Sequence, residues 1–287
     1  MGRTEARSSL KGLSVGDAYG QARLMGTYGH DLGDGPGAWP WTDDTHMALS
    51  VVEVLERHDR IDQDALANAF ARRFRQEPRR GYAEGAIEVL SRIHDGEHWR
   101  EAAGSLFGGQ GSFGNGGAMR AAPIGAWFAG LPERAAEEGA RSAEITHAHE
   151  EGRAGAVAVA VAAALLAGRA VPAGDDFLHA VAAQLPECRT RAGIEAACRF
   201  GPTDLQDAAH RLGTGRLVSS PDTVPFCLWA VARHGRNFER AVTLACEPRG
   251  DRDTVGAIVG GLAVLIDPRV PVEWLRCREP LPAGFED

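Results

Sequence analysis

EPRGDRDTVGAIVGGLAVLI, residues 247–266, joins two aspartates, Asp251 and Asp253, to Thr254 and then to twelve residues, Val255 to Ile266, with no charge among them. A run that is apolar on every side of a 3.6-residue period reads as a helix buried all round, which places it at the centre of a multilayer helical bundle. Residues 152–168 read the same way, and their apolar run, Ala154 to Gly168, is too short to cross a bilayer. Around these two, residues 43–57, 62–76, 83–94, 132–143, 203–212 and 237–246 show one-sided apolar periodicity, and alternating strand-like stretches are hard to find. The fold class expected is all-α, a compact multi-helix orthogonal bundle. Residues 104–117, GSLFGGQGSFGNGG, read as a glycine-rich loop, and the segment from Pro268 onward, with four prolines, reads as a surface tail.

No Pro- or Ser-rich linker divides the 287 residues and no repeat of fixed period appears, so a single domain over 1–287 is expected. Apolar residues make up 44% and charged residues 24%, ordinary for a folded protein. A net charge of -8 argues against general affinity for nucleic acid or anionic membranes. Five cysteines, none in CxxC spacing, suit reduced thiols, and the first residues carry no apolar secretory segment; a cytoplasmic monomer is the expectation.

A second acidic cluster stands ahead of the amphipathic segment 43–57, in the order Thr42, Asp43, Asp44, Thr45. Aspartate and threonine are favoured at helix N-termini, so two independent caps are one reading. A cap needs one side chain, however, and each of these helix mouths has two carboxylates and a hydroxyl. If the mouths converge, four carboxylates crowd one small space, and either protonation or bound cations must relieve their repulsion. Oxygen-only donors of this kind suit Mg²⁺ or Mn²⁺ rather than Zn²⁺. Spacing alone leaves both readings open.

The order of motifs carries more. GLSVGDAYG (12–20), TDDT (42–45), RRGYAEG (79–85), GSFGNGGAMRAAPIG (111–125), THAHEEG (146–152) and GDRDTVGAIVGG (250–261) together resemble the ADP-ribosylglycohydrolase family of all-α, di-magnesium enzymes, over nearly the whole chain. The resemblance implies a metal-dependent hydrolase that cleaves the glycosidic bond between ADP-ribose and an acceptor on a protein, nucleic acid or small molecule. It implies Thr42, Asp43, Asp44, Asp251, Asp253 and Thr254 as ligands of two Mg²⁺ (or Mn²⁺), with Asp44 and Asp253, and Asp43 beside them, in the catalytic role. Ser112, Phe113, Gly114, Asn115 and Gly116 would form the loop around the diphosphate and ribose, Phe113 lying near the adenosine. Glycines there also leave backbone N–H groups free to approach phosphate oxygens. His147 resembles a substrate-side histidine, Arg80, Gly81 and Tyr82 a loop flanking the scissile bond, and Asp17 a residue holding the first helix against the metal loops. Many members have glutamate where this chain has Leu24, so either a metal-site aspartate acts alone, or Glu84 substitutes, or the substrate has shifted. Contacts to the acceptor are expected from a rim loop spanning Gln21 to Asp34. Two alternatives remain: hydrolysis of another ribosyl or phosphoribosyl compound, and an ADP-ribose-binding, immunity-type protein with weak catalysis.

Overall fold

The computed structural model describes residues 2–27 and 35–286. The first part of the rim loop expected over 21–34 is helical, and residues 28–34 lie outside the described residues. The helices in the first part of the chain are α1 (Gly2–Thr27), α2 (Asp43–His58), α3 (Gln63–Gln76), α4 (Glu84–His94) and α5 (Trp99–Gly109). Next come α6 (Gly116–Met119), α7 (Ala122–Trp127), α8 (Pro132–Glu144), α9 (Glu150–Ala167), α10 (Asp175–Ala182) and α11 (Arg189–Ala197). The chain continues through α12 (Leu205–Leu212), α13 (Ser220–His234), α14 (Phe238–Ala245), α15 (Arg252–Ala263) and α16 (Val272–Cys277). Among the described residues no strand forms; only two isolated bridges occur, Trp39 with Arg278 and Gly114 with Ser219. The architecture is all-α.

The two all-round apolar helices occupy the centre. Every residue from 158 to 166 in α9 and from 254 to 264 across the end of α15 is buried. α15 packs on α1 through glycine. A Cβ added to Gly16 would stand 2.0 Å from the carbonyl oxygen of Gly256, and one on Gly12 2.4 Å from that of Gly260; the reciprocal approaches are 2.1 and 2.3 Å. The four-residue spacing of Gly12, Gly16 and Gly20 puts them on one face of α1, so the helices meet backbone to backbone. Ser9 Oγ adds a hydrogen bond of 2.8 Å to the Gly261 carbonyl. At its far end the seam reaches the start of α15, where Gly20 faces the Arg252 carbonyl. That closeness brings Asp17 of α1 beside the acids at the mouth of α15.

One expectation is corrected and a second is sharpened. Residues 104–109 belong to α5, whose path breaks at Leu106 to Gly108, where Phe107 and Gly108 take left-handed backbone angles; only 110–115 form an open loop. The chain after Pro268 runs over the surface as expected but is anchored there: it forms α16 and buries Cys277, Arg278 and Leu281. Its backbone binds residues 37–39, with Trp39 N–H donating to the Cys277 carbonyl at 2.8 Å and Glu279 N–H to the Trp39 carbonyl at 2.8 Å. Prolines that cannot continue a helix here end one and start a strap.

Candidate functional site

The N-termini of α2 and α15 open into one cavity of about 470 Å³. Asp43, Asp44, Asp251, Asp253 and Thr254 line it, together with the 112–116 loop and His147. A wider groove of about 1120 Å³ elsewhere holds Glu5 and Arg169 as its only charged groups and gathers none of these acids.

Asp17 builds the α2 side. Its buried carboxylate accepts from Thr42 N–H (2.9 Å), Thr42 Oγ1 (2.9 Å), Thr45 N–H (3.1 Å) and Thr45 Oγ1 (2.6 Å). A side chain from α1 thus satisfies the open N–H groups of α2. Thr42 also caps α2, accepting weakly from Asp44 N–H at 3.4 Å, and its Oγ1 stands 2.8 Å from Asp44 Oδ2, so that Asp17 and Asp44 compete for its one hydroxyl proton. Thr42 does not line the cavity, unlike the other five expected ligands.

The acids are crowded. Burial, only partly opposed by the Thr45 hydrogen bond, and the charge of Asp253 push Asp17 up to about 7. Burial and the charges of Asp253 and Asp17 push Asp43 up to about 8. Asp44 and Asp251 are also raised well above the usual carboxylate range, first by burial and then by neighbouring aspartates. Asp44 Oδ1 is buried with no hydrogen-bond partner. An orphaned carboxylate oxygen among like charges is a configuration that a hard divalent cation relieves, and the all-oxygen donors suit one. Among the described residues, however, no group of three His, Cys, Asp or Glu side chains is drawn into a closed ligand set. The acids fit cations as facing walls rather than as a finished cage.

The loop holds the α15 side. Asn115, buried, donates from Nδ2 to Asp251 Oδ2 at 2.6 Å and to Thr223 Oγ1 at 3.1 Å. Its amide orients a carboxylate, a role the glycine pattern did not signal. Ser112 Oγ accepts from Gly114 N–H at 3.1 Å, and Phe113 stands 44% exposed at the mouth. Gly81 takes a φ of +93°, and a Cβ there would stand 3.3 Å from Asp43 Oδ1. The backbone beside Asp43 is therefore free to bend only because residue 81 is glycine.

Tyr82 and Arg80 are not where the expectation put them. Tyr82 is buried against Phe74, its hydroxyl 2.9 Å from His46 Nδ1, and does not line the cavity. The ring gains more from that apolar setting and a hydrogen-bond partner than from an exposed turn. Arg80 stacks 3.6 Å from the Trp41 ring and pairs with Glu279 at 2.7 Å, while its carbonyl accepts from Asp43 N–H at 2.6 Å. It braces the loop from behind. Leu24 does not line the cavity either, whereas the exposed Glu84 does. Missed altogether was Arg120, fully buried on the cavity wall 4.5 Å from the Phe70 ring. The only signal for it was a lone cation inside the apolar stretch AMRAAPIG, where a surface arginine is out of place.

The family model for ADP-ribosylglycohydrolase matches residues 3–282. The chain belongs to this family. An uncharacterised protein of Archaeoglobus fulgidus is 30% identical over 295 residues, covering 94% of this chain and 90% of that one. ADP-ribosylhydrolase ARH3 of Gallus gallus is 27% identical over 268 residues, covering 82% and 72% respectively. ADP-ribosylarginine hydrolase Tri1 of Pseudomonas putida is 28% identical over 292 residues, covering 94% and 73%. Among solved structures, an ADP-ribosylglycohydrolase-related protein complex superposes with a TM-score of 0.68 at 25% identity, covering 96% and 93%. No helix among the described residues of this chain is long and apolar enough to cross a membrane.

Proposed function

We propose that the chain is a divalent-cation-dependent hydrolase that releases ADP-ribose from an acceptor. The observation that carries this reading is the meeting of Asp43, Asp44, Asp251 and Asp253 in one cavity with the Asn115 loop. Two Mg²⁺ or Mn²⁺ held by these four carboxylates and Thr254 would supply Lewis acidity and make water a stronger nucleophile at neutral pH. Thr42, turned to Asp17, supports the ligands from behind.

The chain's own part follows from charge. Hydrolysis at C1 of the ribose passes through an oxocarbenium-like transition state, and the carboxylates' part is to orient the attacking water toward C1 and take up its proton. Oxygen of the attacking water bonds to C1 as the bond from C1 to the acceptor breaks, its electron pair leaving with the acceptor. Asp44 or Asp253 accepts the proton released by water, and the departing acceptor takes up a proton in turn. Asn115 keeps Asp251 oriented throughout.

The test is turnover of ADP-ribosylated peptide. Asp253→Asn and Asp44→Asn should abolish ADP-ribose release while leaving the helical circular dichroism unchanged, and chelation should do so reversibly. Release at the wild-type rate by either variant would refute the mechanism. Leu24, standing where many members have glutamate, favours one second reading: hydrolysis of a different ribosyl or phosphoribosyl compound. A thermal shift with phosphoribosyl ligands but none with ADP-ribose would select it.

A further inference from the structure

His147 borders the cavity, and its Nε2 lies beside the loop: a Cβ on Gly114 would stand 3.2 Å from it and one on Gly116 3.3 Å. The far side of the ring meets Thr146, whose Oγ1 is 2.7 Å from Nδ1. Arg120 Nη2 donates to the same oxygen at 2.9 Å and to the Ser142 carbonyl at 2.9 Å, while Nη1 donates to the Gly116 carbonyl at 2.9 Å. We propose that Arg120 and Thr146 are positioning residues that lock His147 in the tautomer with its proton on Nε2, giving the cavity a fixed N–H donor for a phosphate oxygen of the ligand.

Proton counting carries the inference. A guanidinium has donors only, so the Arg120–Thr146 bond uses a lone pair of Oγ1. The hydroxyl proton must then go elsewhere, and among the described residues Nδ1 is the only other hydrogen-bond partner Oγ1 has. Nδ1 is therefore the acceptor, and a neutral imidazole accepting at Nδ1 carries its hydrogen on Nε2. Donors aligned from Arg120 through Thr146 to His147 polarise one another in the same sense. The opposite tautomer would leave Oγ1 facing two donors, with its own proton unpaired in a buried place. Burial and the Arg120 charge also push His147 down to about 3, which keeps the ring neutral. Nε2 makes no hydrogen bond to the described residues, which leaves it free for a ligand. Arg120 simultaneously fixes the Gly116 carbonyl, so the donor and the loop it faces are held by one group.

The ligand half of this proposal rests on the reading above as an ADP-ribose site; the tautomer half does not. Ring ¹⁵N NMR at pH 7 on ligand-free wild-type protein should show Nε2 protonated and Nδ1 unprotonated; the reverse pattern overturns the proposal without any variant. Thr146→Ser, which keeps the hydroxyl, should preserve both tautomer and ADP-ribose affinity. Thr146→Val, which removes only the hydroxyl, should give a mixture of tautomers and weaken ADP-ribose about tenfold by calorimetry, or about 1.4 kcal/mol. An unchanged tautomer in Thr146→Val refutes the relay, and a changed tautomer with unchanged affinity refutes the donor role. Failure of wild-type protein to bind ADP-ribose at all would instead break the functional reading, and the ligand-free spectrum would still decide the relay.

Discussion

The floor and the mouth of the cavity are built on opposite principles. Beneath the acids, α1 and α15 touch backbone to backbone through glycine, and Asp17 commits both carboxylate oxygens to the N-terminus of α2. Around the mouth, Phe107, Phe113, Leu217 and Val218 stand exposed, and two of them, Phe107 and Val218, hold left-handed backbone angles that L side chains rarely adopt. The floor has no slack, so it fixes where charge sits. The mouth keeps apolar surface in water and strain in its backbone, features that concentrate where ligands are gripped.

The floor should break first and hardest. Gly16→Ala puts a methyl 2.0 Å from a carbonyl oxygen that belongs to a helix backbone, and at least about 3 kcal/mol of stability should be lost in urea unfolding. A loss under about 1 kcal/mol would mean that the seam is looser than its geometry.

Acidity should come next. Asp17 and Asp43 hold protons up to about 7 and 8 in the folded chain, whereas unfolded aspartate releases them near pH 4. The folded state therefore binds more protons, so stability is highest below about pH 4 as far as these two groups are concerned. It should fall as pH rises from there through about 8, and level off above. Thermal melting in chelator between pH 5 and 9 measures this, and Mg²⁺ should flatten the slope by replacing protons as the neutralising partner.

Asp44→Asn sharpens the point with a smaller effect of opposite sign. Removing one acid from the crowd should stabilise chelated protein by about 1 kcal/mol, read as a higher melting point, even as turnover disappears. Equal loss of stability and activity would assign Asp44 to the scaffold instead. The mouth should respond least: Val218→Gly trades backbone strain for chain entropy and removes a half-exposed side chain, so stability should move by less than about 1 kcal/mol.

What the sequence made legible follows the same division. The central helices announce themselves, because an uncharged run such as Val255 to Ile266 has one sensible environment, and both acid pairs sit at helix starts as capping chemistry suggests. Partners across the fold do not announce themselves. Nothing local to Asn115 says that its amide meets Asp251, nothing in RRGYAEG says that Tyr82 turns to His46, and nothing in TDDT says that Thr42 meets Asp17. The helix over 220–234 was hidden by Pro225, since a proline inside a helix usually argues against one. Arg120 was hidden by charge, since an arginine reads as surface until three oxygens are found around it.

The glycine seam also sets a timetable. Ser9 and Gly261, which bond across it, are 252 positions apart, so α1 finds its mate only after all the residues between them have been made. Until then Asp17 has no α15 to lean on and the acidic floor does not exist. Closure over so long a separation is slow, and a nascent chain of this kind leaves α1 open to chaperones while the intervening residues are made.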